Sequence, residues 1–427
     1  MSGKYQAYPE YKDSGVEWLG QIPSHWTQCG FKRFALIRNG RDHKEVEAPD
    51  GNYPVIGSGG GFSHANQYLY DGESVLLGRK GTINKPLYIK GKFWTVDTMF
   101  YTEVQKNADA RFLYYMALTF PFDYYSTNTA LPSMTQGDLA NHGVAAPSIE
   151  EQRTIAAFLD QEIARIDQLI EKQQRLIELL KEKRQAVISH AVTKGLDPNV
   201  PMKDSGVEWL GQVPEHWVVT SLKYFYENLD FRRIPLSSEE RSGRQGGYPY
   251  YGASGVIDSV DDYLFDEDCV LVGEDGANLV MRSTPLAFVA QGKYWVNNHA
   301  HILRMHDGLN DFWAAVINNI DIRPLVSGSA QPKLTAEAMG NITVACSPDV
   351  EERRGIMHYL DIQLPKLDAV MQKSMLQIDI LKERRTALIS AAVTGKIDVR
   401  NWQPNSNTQT AEPDLPMAAE QAAEYRV

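Results

Sequence analysis

Positive charge is scarce in this chain. Lysine and arginine number 43 against 54 aspartates and glutamates, a formal charge of −11. A general polyanion binder relies on cations that neutralise phosphates. Either the chain does not bind nucleic acid, or it binds through local surfaces and borrows positive charge from partners. Cysteine is scarcer still. Cys29, Cys269 and Cys346 are scattered, with no CxxC pair and no Cys/His spacing that suggests zinc. The odd count fits a reducing cytoplasm. No run of 18 or more apolar residues exists, so no membrane span is expected. The opening MSGKYQAYPEYKDSG lacks the apolar core of a secretory signal. Catalytic signatures are missing as well. There is no GxxxxGK[ST], and GSGGG at Gly57–Gly61 lacks GxGxxG spacing with a helix behind it. No Asp/Asn-Pro-Pro-Tyr/Phe tetrad of the amino-methyltransferase kind occurs, and no carboxylate cluster of a metal nuclease. His299 and His301 alternate along a strand, a pattern of a half-buried surface more than of a metal pair.

What the chain has is repetition. KDSGVEWLGQ at Lys12–Gln21 returns letter for letter at Lys203–Gln212. IPSHW (Ile22–Trp26) and VPEHW (Val213–Trp217) follow the two copies. EEQRTIAAFLD (Glu150–Asp160) matches EERRGIMHYLD (Glu351–Asp361), and LLKEKRQAVISHAVT (Leu179–Thr193) matches ILKERRTALISAAVT (Ile380–Thr394). Weaker parallels lie between, such as YLYDGESVLLGRKG (Tyr68–Gly81) with YLFDEDCVLVGEDG (Tyr263–Gly276). The layout is A-B-A′-B′, and the B blocks are far more alike than the A blocks.

The B blocks read as long helices. Ser148 with Glu151, and Asp349 with Glu352, carry the spacing of a capping box. Apolar residues recur at spacings of three and four: Ile155, Leu159, Ile163, Ile166, Ile170, Ile177, Leu180 and Val187. In B′ they are Ile356, Leu360, Leu364, Leu367, Met371, Ile378, Leu381 and Leu388. This is a coiled-coil seam, broken in both copies at Gln173/Ser374 and Arg184/Arg385. Gly195 and Gly395 stop the helices. About 40 residues at 1.5 Å each make a rod of about 60 Å. Two such rods pack most simply antiparallel, around a pseudo-two-fold axis. Pro365, which replaces Ala164, is expected to kink or interrupt the second rod.

The A blocks read as α+β domains. SVLLG (Ser74–Gly78), KPLYI (Lys85–Ile89) and FWTVDTMFYTEV (Phe93–Val104) have strand character, and RFLYYMALT (Arg111–Thr119) is helical. CVLVG (Cys269–Gly273), PLAFVA (Pro285–Ala290), YWVNNHAHILRM (Tyr294–Met305) and DFWAAVINNI (Asp311–Ile320) repeat the series. Three loop pairs carry side chains suited to base edges. The first pair offers Ser58 and Ser254. The second sets Arg79, Lys80, Thr82, Asn84 and Lys85 against Glu274, Asp275 and Asn278. The third sets Asn128, Thr129 and Ser133 against Ser329, Gln331 and Lys333. Exchange of Arg79-Lys80 for Glu274-Asp275 then reads as a change of readout. For any one residue, a solvated and inert loop is the competing reading.

The repeat layout, the long B phrase from Glu150 to Leu196 and KDSGVEWLGQIPSHW together resemble the specificity subunit of type I restriction-modification systems. The likeness runs over about residues 8 to 398. It implies two target-recognition domains, each reading one half of a bipartite, asymmetric sequence in double-stranded DNA. It implies helices that space the domains and dock two methyltransferase (M) subunits, with motor/nuclease (R) subunits in the full complex. The chain would have no catalytic residues and no metal or cofactor of its own. S-adenosylmethionine, ATP and Mg would belong to the partner subunits. The expected division is 1–147, first recognition domain; 148–195, central helix; 196–347, second recognition domain; 348–395, distal helix; 396–427, disordered tail. Trp18, Leu19, Trp209 and Leu210 are expected to clip each domain to a rod end. With Ile166, Ile170, Ile177, Leu180, Leu367, Met371, Ile378 and Leu381, they form the expected subunit interface. A cytoplasmic protein follows, with no membrane association. The alternatives are an interaction scaffold built on the paired helices, or an enzyme acting alone.

Overall fold

The computed structural model describes residues 5–126, 132–328 and 331–404. The chain is a mixed α and β protein of two compact units. Unit 1 takes residues 1–174 and 376–427, and unit 2 takes residues 175–375. This departs from the chain-order division expected above. Each long helix is shared between units, and unit 1 is assembled from both ends of the described chain.

Unit 1 begins with β1 (Tyr11–Asp13), β2 (Gln21–Pro23) and β3 (Thr27–Gly30). Its main elements are β4 (Ala35–Asn39), β5 (Tyr53–Gly57), β6 (Gly60–Ala65), β7 (Tyr70–Gly78), β8 (Leu87–Thr95) and β9 (Met99–Val104). These form one six-stranded sheet, ordered β4-β9-β7-β8-β5-β6. Only β5 and β8 run parallel in it. α1 (Ala110–Ala117), α2 (Phe122–Tyr125), α3 (Gln136–Asn141) and β10 (Gly143–Ala146) lead to α4 (Ile149–Lys194). Asp109 caps α1 by accepting from the Phe112 N–H at 3.0 Å.

Unit 2 repeats the order. β11 (Met202–Asp204), β12 (Gln212–Pro214), β13 (Val218–Ser221) and β14 (Tyr226–Asn228) precede α5 (Ser238–Gly243). Next come β15 (Tyr248–Gly252), β16 (Gly255–Val260), β17 (Phe265–Asp266), β18 (Cys269–Gly273) and the single turn α6 (Asn278–Met281). β19 (Ala287–Ala290), β20 (Lys293–Val296), β21 (Ala300–Met305), α7 (Asn310–Asn319), α8 (Ala336–Gly340) and β22 (Thr343–Cys346) lead to α9 (Val350–Val393). The hairpin that is continuous in β7 and β8 is here broken into short strands. Two four-stranded sheets result, β14-β21-β18-β19 and β16-β15-β20-β17. At the break, Asp268 accepts from the Gly292 N–H at 3.0 Å, where unit 1 keeps a plain ladder pair, Gly72 with Gly91.

Each core gathers its domain onto both long helices. Trp26, Phe31 and Phe112 pack with Ile155 and Leu159 of α4 and with Leu388 and Ala392 of α9. In unit 2, Trp217, Phe312 and Trp313 pack with Val192 of α4 and Ile356 and Leu360 of α9. Apolar spacing on the helices pointed to this burial. Pro365 does not interrupt α9, which is helical from Val350 to Val393. Its exposed ring removes a single N–H from an outer face, and the buried seam on either side holds the helix together.

The described part of the last segment is packed. Ile397 and Val399 are buried, Trp402 meets Phe158 edge-on, and the Asp398 N–H donates to Gln6 O at 2.7 Å. The expected disordered tail therefore cannot start at 396, and residues 405–427 lie outside the described residues. No described helix is long and apolar enough to cross a membrane.

Candidate nucleic-acid interface

The repeated phrases at the domain entrances are structural. Ser148 Oγ accepts from the Glu151 N–H at 3.3 Å, which is half of the expected capping box. The Glu151 carboxylate does not reach back to the cap. It accepts from Tyr8 OH at 2.7 Å and Trp26 Nε1 at 3.2 Å, and His25 Nε2 lies 2.9 Å away. Unit 2 repeats this: Trp217 Nε1 donates to Glu352 at 3.0 Å, and His216 Nε2 lies 2.8 Å from it. The His-Trp pairs of IPSHW and VPEHW are thus bonding partners of the helix-start glutamates. Tyr8 sits so close to Glu151 that burial and that hydrogen bond push its hydroxyl far above its ordinary range.

The ten-residue copies each seat on the end of a helix. Lys396 Nζ donates to Gln21 O at 2.6 Å, and Lys194 Nζ donates to Leu210 O at 2.7 Å. Gly195 and Gly395 adopt left-handed φ of 76° and 72°. A Cβ on Gly395 would come within 2.4 Å of Pro23. Leu19 and Leu210 are buried, but Trp18 is 49% exposed and Trp209 37%. Trp18 is therefore not an apolar plug. Its ring stacks on His142 at 5.0 Å, and its Nε1 donates to Gly143 O at 3.1 Å.

The seam residues expected at a subunit interface are covered by the chain itself. Ile166, Ile177, Ile378 and Leu381 are buried, while Ile170, Leu180, Leu367 and Met371 are half-buried. The two seam arginines bond to matching aspartates. Arg385 Nε donates to Asp167 at 3.1 Å within unit 1, and Arg184 Nε donates to Asp368 at 3.1 Å within unit 2.

The loop pairs stand in exact register. Gly78 pairs with Met99 and Leu77 with Phe100; Gly273 pairs with Ala300 and Val272 with His301. One residue on, the Arg79 N–H donates to Thr98 O at 2.8 Å and the Glu274 N–H to His299 O at 2.9 Å. Lys80 bridges to Ser133, and Asp275 bridges to Lys333. Gly81 donates to Pro132 O and Gly276 to Pro332 O, both at 3.0 Å. Thr135 and Thr335 then cap the helices that follow. So the second and third loops of each unit meet side by side. A Cβ on Gly78 would lie 2.5 Å from Thr82 O, and one on Gly273 would lie 2.8 Å from Ala253 O. Ser58 approaches the unit 1 loop at Gly81.

In unit 1 the meeting point is an open cleft of about 340 Å³, lined by Asn39, Arg79, Lys80, Phe100, Ser133 and Gln136. Arg79 lies 6.0 Å over the Phe100 ring and donates to Asp97 O at 3.2 Å. Thr82 is half-buried, and Asn84 and Lys85 are exposed. Asn128 and Thr129 lie outside the described residues.

In unit 2 the same point is filled. Glu274 accepts from Arg233 Nη1 at 2.6 Å and pairs with Lys333 Nζ at 3.0 Å. Asp230 lies 2.6 Å from His301 Nδ1, and His301 Nε2 lies 2.9 Å from Leu334 O. Burial would raise the Asp230 and Glu274 carboxyls, but bonds from His301 and from Arg233 and Lys333 bring both below their ordinary values. Burial would lower His301, but the Asp230 carboxylate holds it above its usual value. Asp230, Glu274 and His301 cluster closely enough to suggest a cation site. Both His301 nitrogens are already engaged, however, and each acid faces a cation of the chain. Asp275 is likewise taken, 2.8 Å from His299 Nδ1.

These contacts engage three of the side chains expected at base edges. Glu274 is buried in an ion network, Asp275 is held by His299, and the Asn278 amide is spent on its own turn. Asn278 Nδ2 donates to Thr284 O at 3.1 Å, and its Oδ1 accepts from the Thr284 N–H at 2.9 Å. Ser254, Gln331 and Lys333 stay exposed, and Ser329 lies outside the described residues. Asp230 and Arg233 were not legible as site residues, because they lie outside the three loops.

Comparison with known proteins assigns the class. The family model for the type I restriction modification DNA specificity domain matches twice, at residues 26–179 and 214–377. The chain belongs to this family. It is 34% identical over 118 residues to the putative type I restriction enzyme specificity subunit S.HindORF215P of Haemophilus influenzae, covering 27% of this chain and 29% of that one. It is 26% identical over 176 residues to the EcoDI specificity subunit of Escherichia coli, covering 40% and 39%. The matched segments thus span well under half of either relative. Among solved structures, one described as the basis of assembly and conformational transition of the type I R-M system has TM-score 0.66 at 15% identity, covering 88% of this chain and 99% of that one. The HsdS subunit from Thermoanaerobacter tengcongensis has TM-score 0.51 at 16% identity, covering 88% and 98%. At such identities the likeness is one of fold.

Proposed function

We propose that this chain supplies the sequence specificity of a type I restriction-modification complex. Each unit reads one half of a bipartite, asymmetric target in double-stranded DNA. The observation that carries this reading is one loop frame used twice, with the matched bridges Lys80–Ser133 and Asp275–Lys333, and filled with different chemistry in the two units: an open cleft at Arg79 and a closed ion network at Glu274. α4 and α9 pair as an antiparallel coiled coil that sets the spacing of the halves. The crossing pairs Asp167–Arg385 and Asp368–Arg184 support that pairing. Two methyltransferase (M) subunits dock on the helices. Leu169, Leu376 and Ile380 in unit 1, and Leu176, Leu179 and Ile362 in unit 2, leave apolar side chains exposed for such contact. Motor/nuclease (R) subunits join the full complex. The chain itself is not catalytic, and S-adenosylmethionine, ATP and Mg act in the partner subunits, in the cytoplasm.

The test is co-expression with the methyltransferase subunits, followed by genome-wide mapping of methylated adenines. A two-part sequence separated by a fixed gap is expected. Deletion of Leu169–Arg175, one heptad, should alter the gap or impair assembly while each half-sequence stays the same. Altered half-sequences would refute the spacing role of the helices.

A further inference from the structure

The register-matched point of the two units is built in opposite ways, and the difference assigns the residue that reads. In unit 1 the cleft is open. Arg79 has one guanidinium nitrogen engaged, on a backbone carbonyl, and no acidic partner among the described residues. The Phe100 ring lies beneath it, with its centroid 6.0 Å from the guanidinium carbon. Gln136 Nε2 donates to Ile37 O at 2.7 Å, and Gln136 and exposed Asn39 line the same cleft. A planar guanidinium fork in an open cleft, with two amide side chains among the lining, suits the two acceptors of a guanine edge in the major groove. In unit 2 the matching space holds Asp230, Arg233, Glu274, His301 and Lys333, linked in one network of ion pairs. Glu274 keeps only 10% of its side chain exposed. Its burial behind Arg233 and Lys333 keeps it from a base edge.

We propose that Arg79 is a specificity-determining residue that reads a guanine in the half-site of unit 1, with Asn39 and Gln136 lining the same cleft. The corresponding point of unit 2 is an internal lock that reads no base. This rests on the function proposed above and goes beyond it, because it says which of two equivalent positions carries sequence information. The loss of a bidentate contact to guanine relaxes discrimination at that base pair by about 10- to 100-fold.

The experiment uses the complex co-expressed with its methyltransferase subunits and maps the methylated sequence. Arg79→Ala should make one guanine position of one half-site degenerate and leave the other half-site unchanged. Arg79→Lys, which keeps the charge but loses the fork, should relax the same position. It serves as the readout if the alanine variant fails to assemble. Glu274→Gln should lower the melting temperature and change no base of the second half-site. An unchanged sequence with both Arg79 variants, or a changed base with Glu274→Gln, overturns the inference while leaving the proposed function intact. If the unaltered complex shows no sequence-specific methylation, both readings fall together.

Discussion

In unit 1 the residue after the anchoring glutamate is Gln152; in unit 2 it is Arg353. Both are buried. Gln152 donates to Asn107 O at 3.2 Å and Pro147 O at 3.1 Å, and accepts from the Asp109 N–H at 3.0 Å. Neutral groups satisfy it completely. Arg353 brings a charge to the same place and needs Asp307, 3.0 Å away and itself only 10% exposed, to balance it. Asp307 also accepts from Trp313 Nε1 at 3.0 Å. The lesson repeats at the paired loops: unit 2 holds in closed ion networks what unit 1 solves with neutral or open groups. Its acidity therefore misleads. Val218–Ser347 carries 10 basic and 16 acidic residues. Yet Glu274 and Asp275 lie inward, at 10% and 16% exposed, behind Lys333 at 52% and His299 at 45%.

The comparison is broken most severely at Asp307. Asp307→Ala strands a buried guanidinium and should cost unit 2 about 3–5 kcal/mol, read as a lower urea midpoint. Arg353→Gln imports the unit 1 solution and should recover much of that loss in the double variant. Failure to recover would mean that Asp307 acts mainly through Trp313. The anchors come next. Glu151→Ala and Glu352→Ala each leave buried donors unmet, at about 1–3 kcal/mol per group. Glu151 serves Tyr8, His25 and Trp26, and Glu352 serves Ser347, His216 and Trp217, so the two variants should lower their units' thermal midpoints by similar amounts.

The smallest effect sharpens the contrast between Phe100 and His301. The raised His301 adds stability that is complete below its unfolded value near pH 6.5 and fades as pH rises through the folded value. The lowered Asp230 and Glu274 add stability that is complete above the ordinary carboxylate range and fades as pH falls through their folded values. The melting difference between the unaltered chain and His301→Phe should therefore narrow from about pH 6.5 upward. A constant difference would mean that His301 titrates alike in the folded and the unfolded chain.

The elements themselves were written plainly. Short apolar runs became strands and the three-four spacing became α4 and α9, because both signals are local. The register of the loop pairs was also legible, since paired glycines and prolines mark the same turns. Partners distant in sequence were not. Nothing near Glu274 announces Arg233, and nothing near Glu151 announces Tyr8. Pro365 misled because propensity was weighed without the buried seam that overrides it. Charge misled for a related reason: sequence shows a carboxylate but not the cation that occupies it.

Unit 1 closes with residues 376–402. The Tyr11 hydroxyl donates to Gly395 O at 3.0 Å, and Leu388, Ala392 and Val399 complete the core around Ile155. During synthesis those residues leave the ribosome after all of unit 2. The domain begun first is then the domain finished last, with the apolar face of α4 uncovered until the second long helix arrives. That interval is a window for chaperones and proteases. A chain cut short near residue 375 would carry a complete second unit and a first one that cannot close.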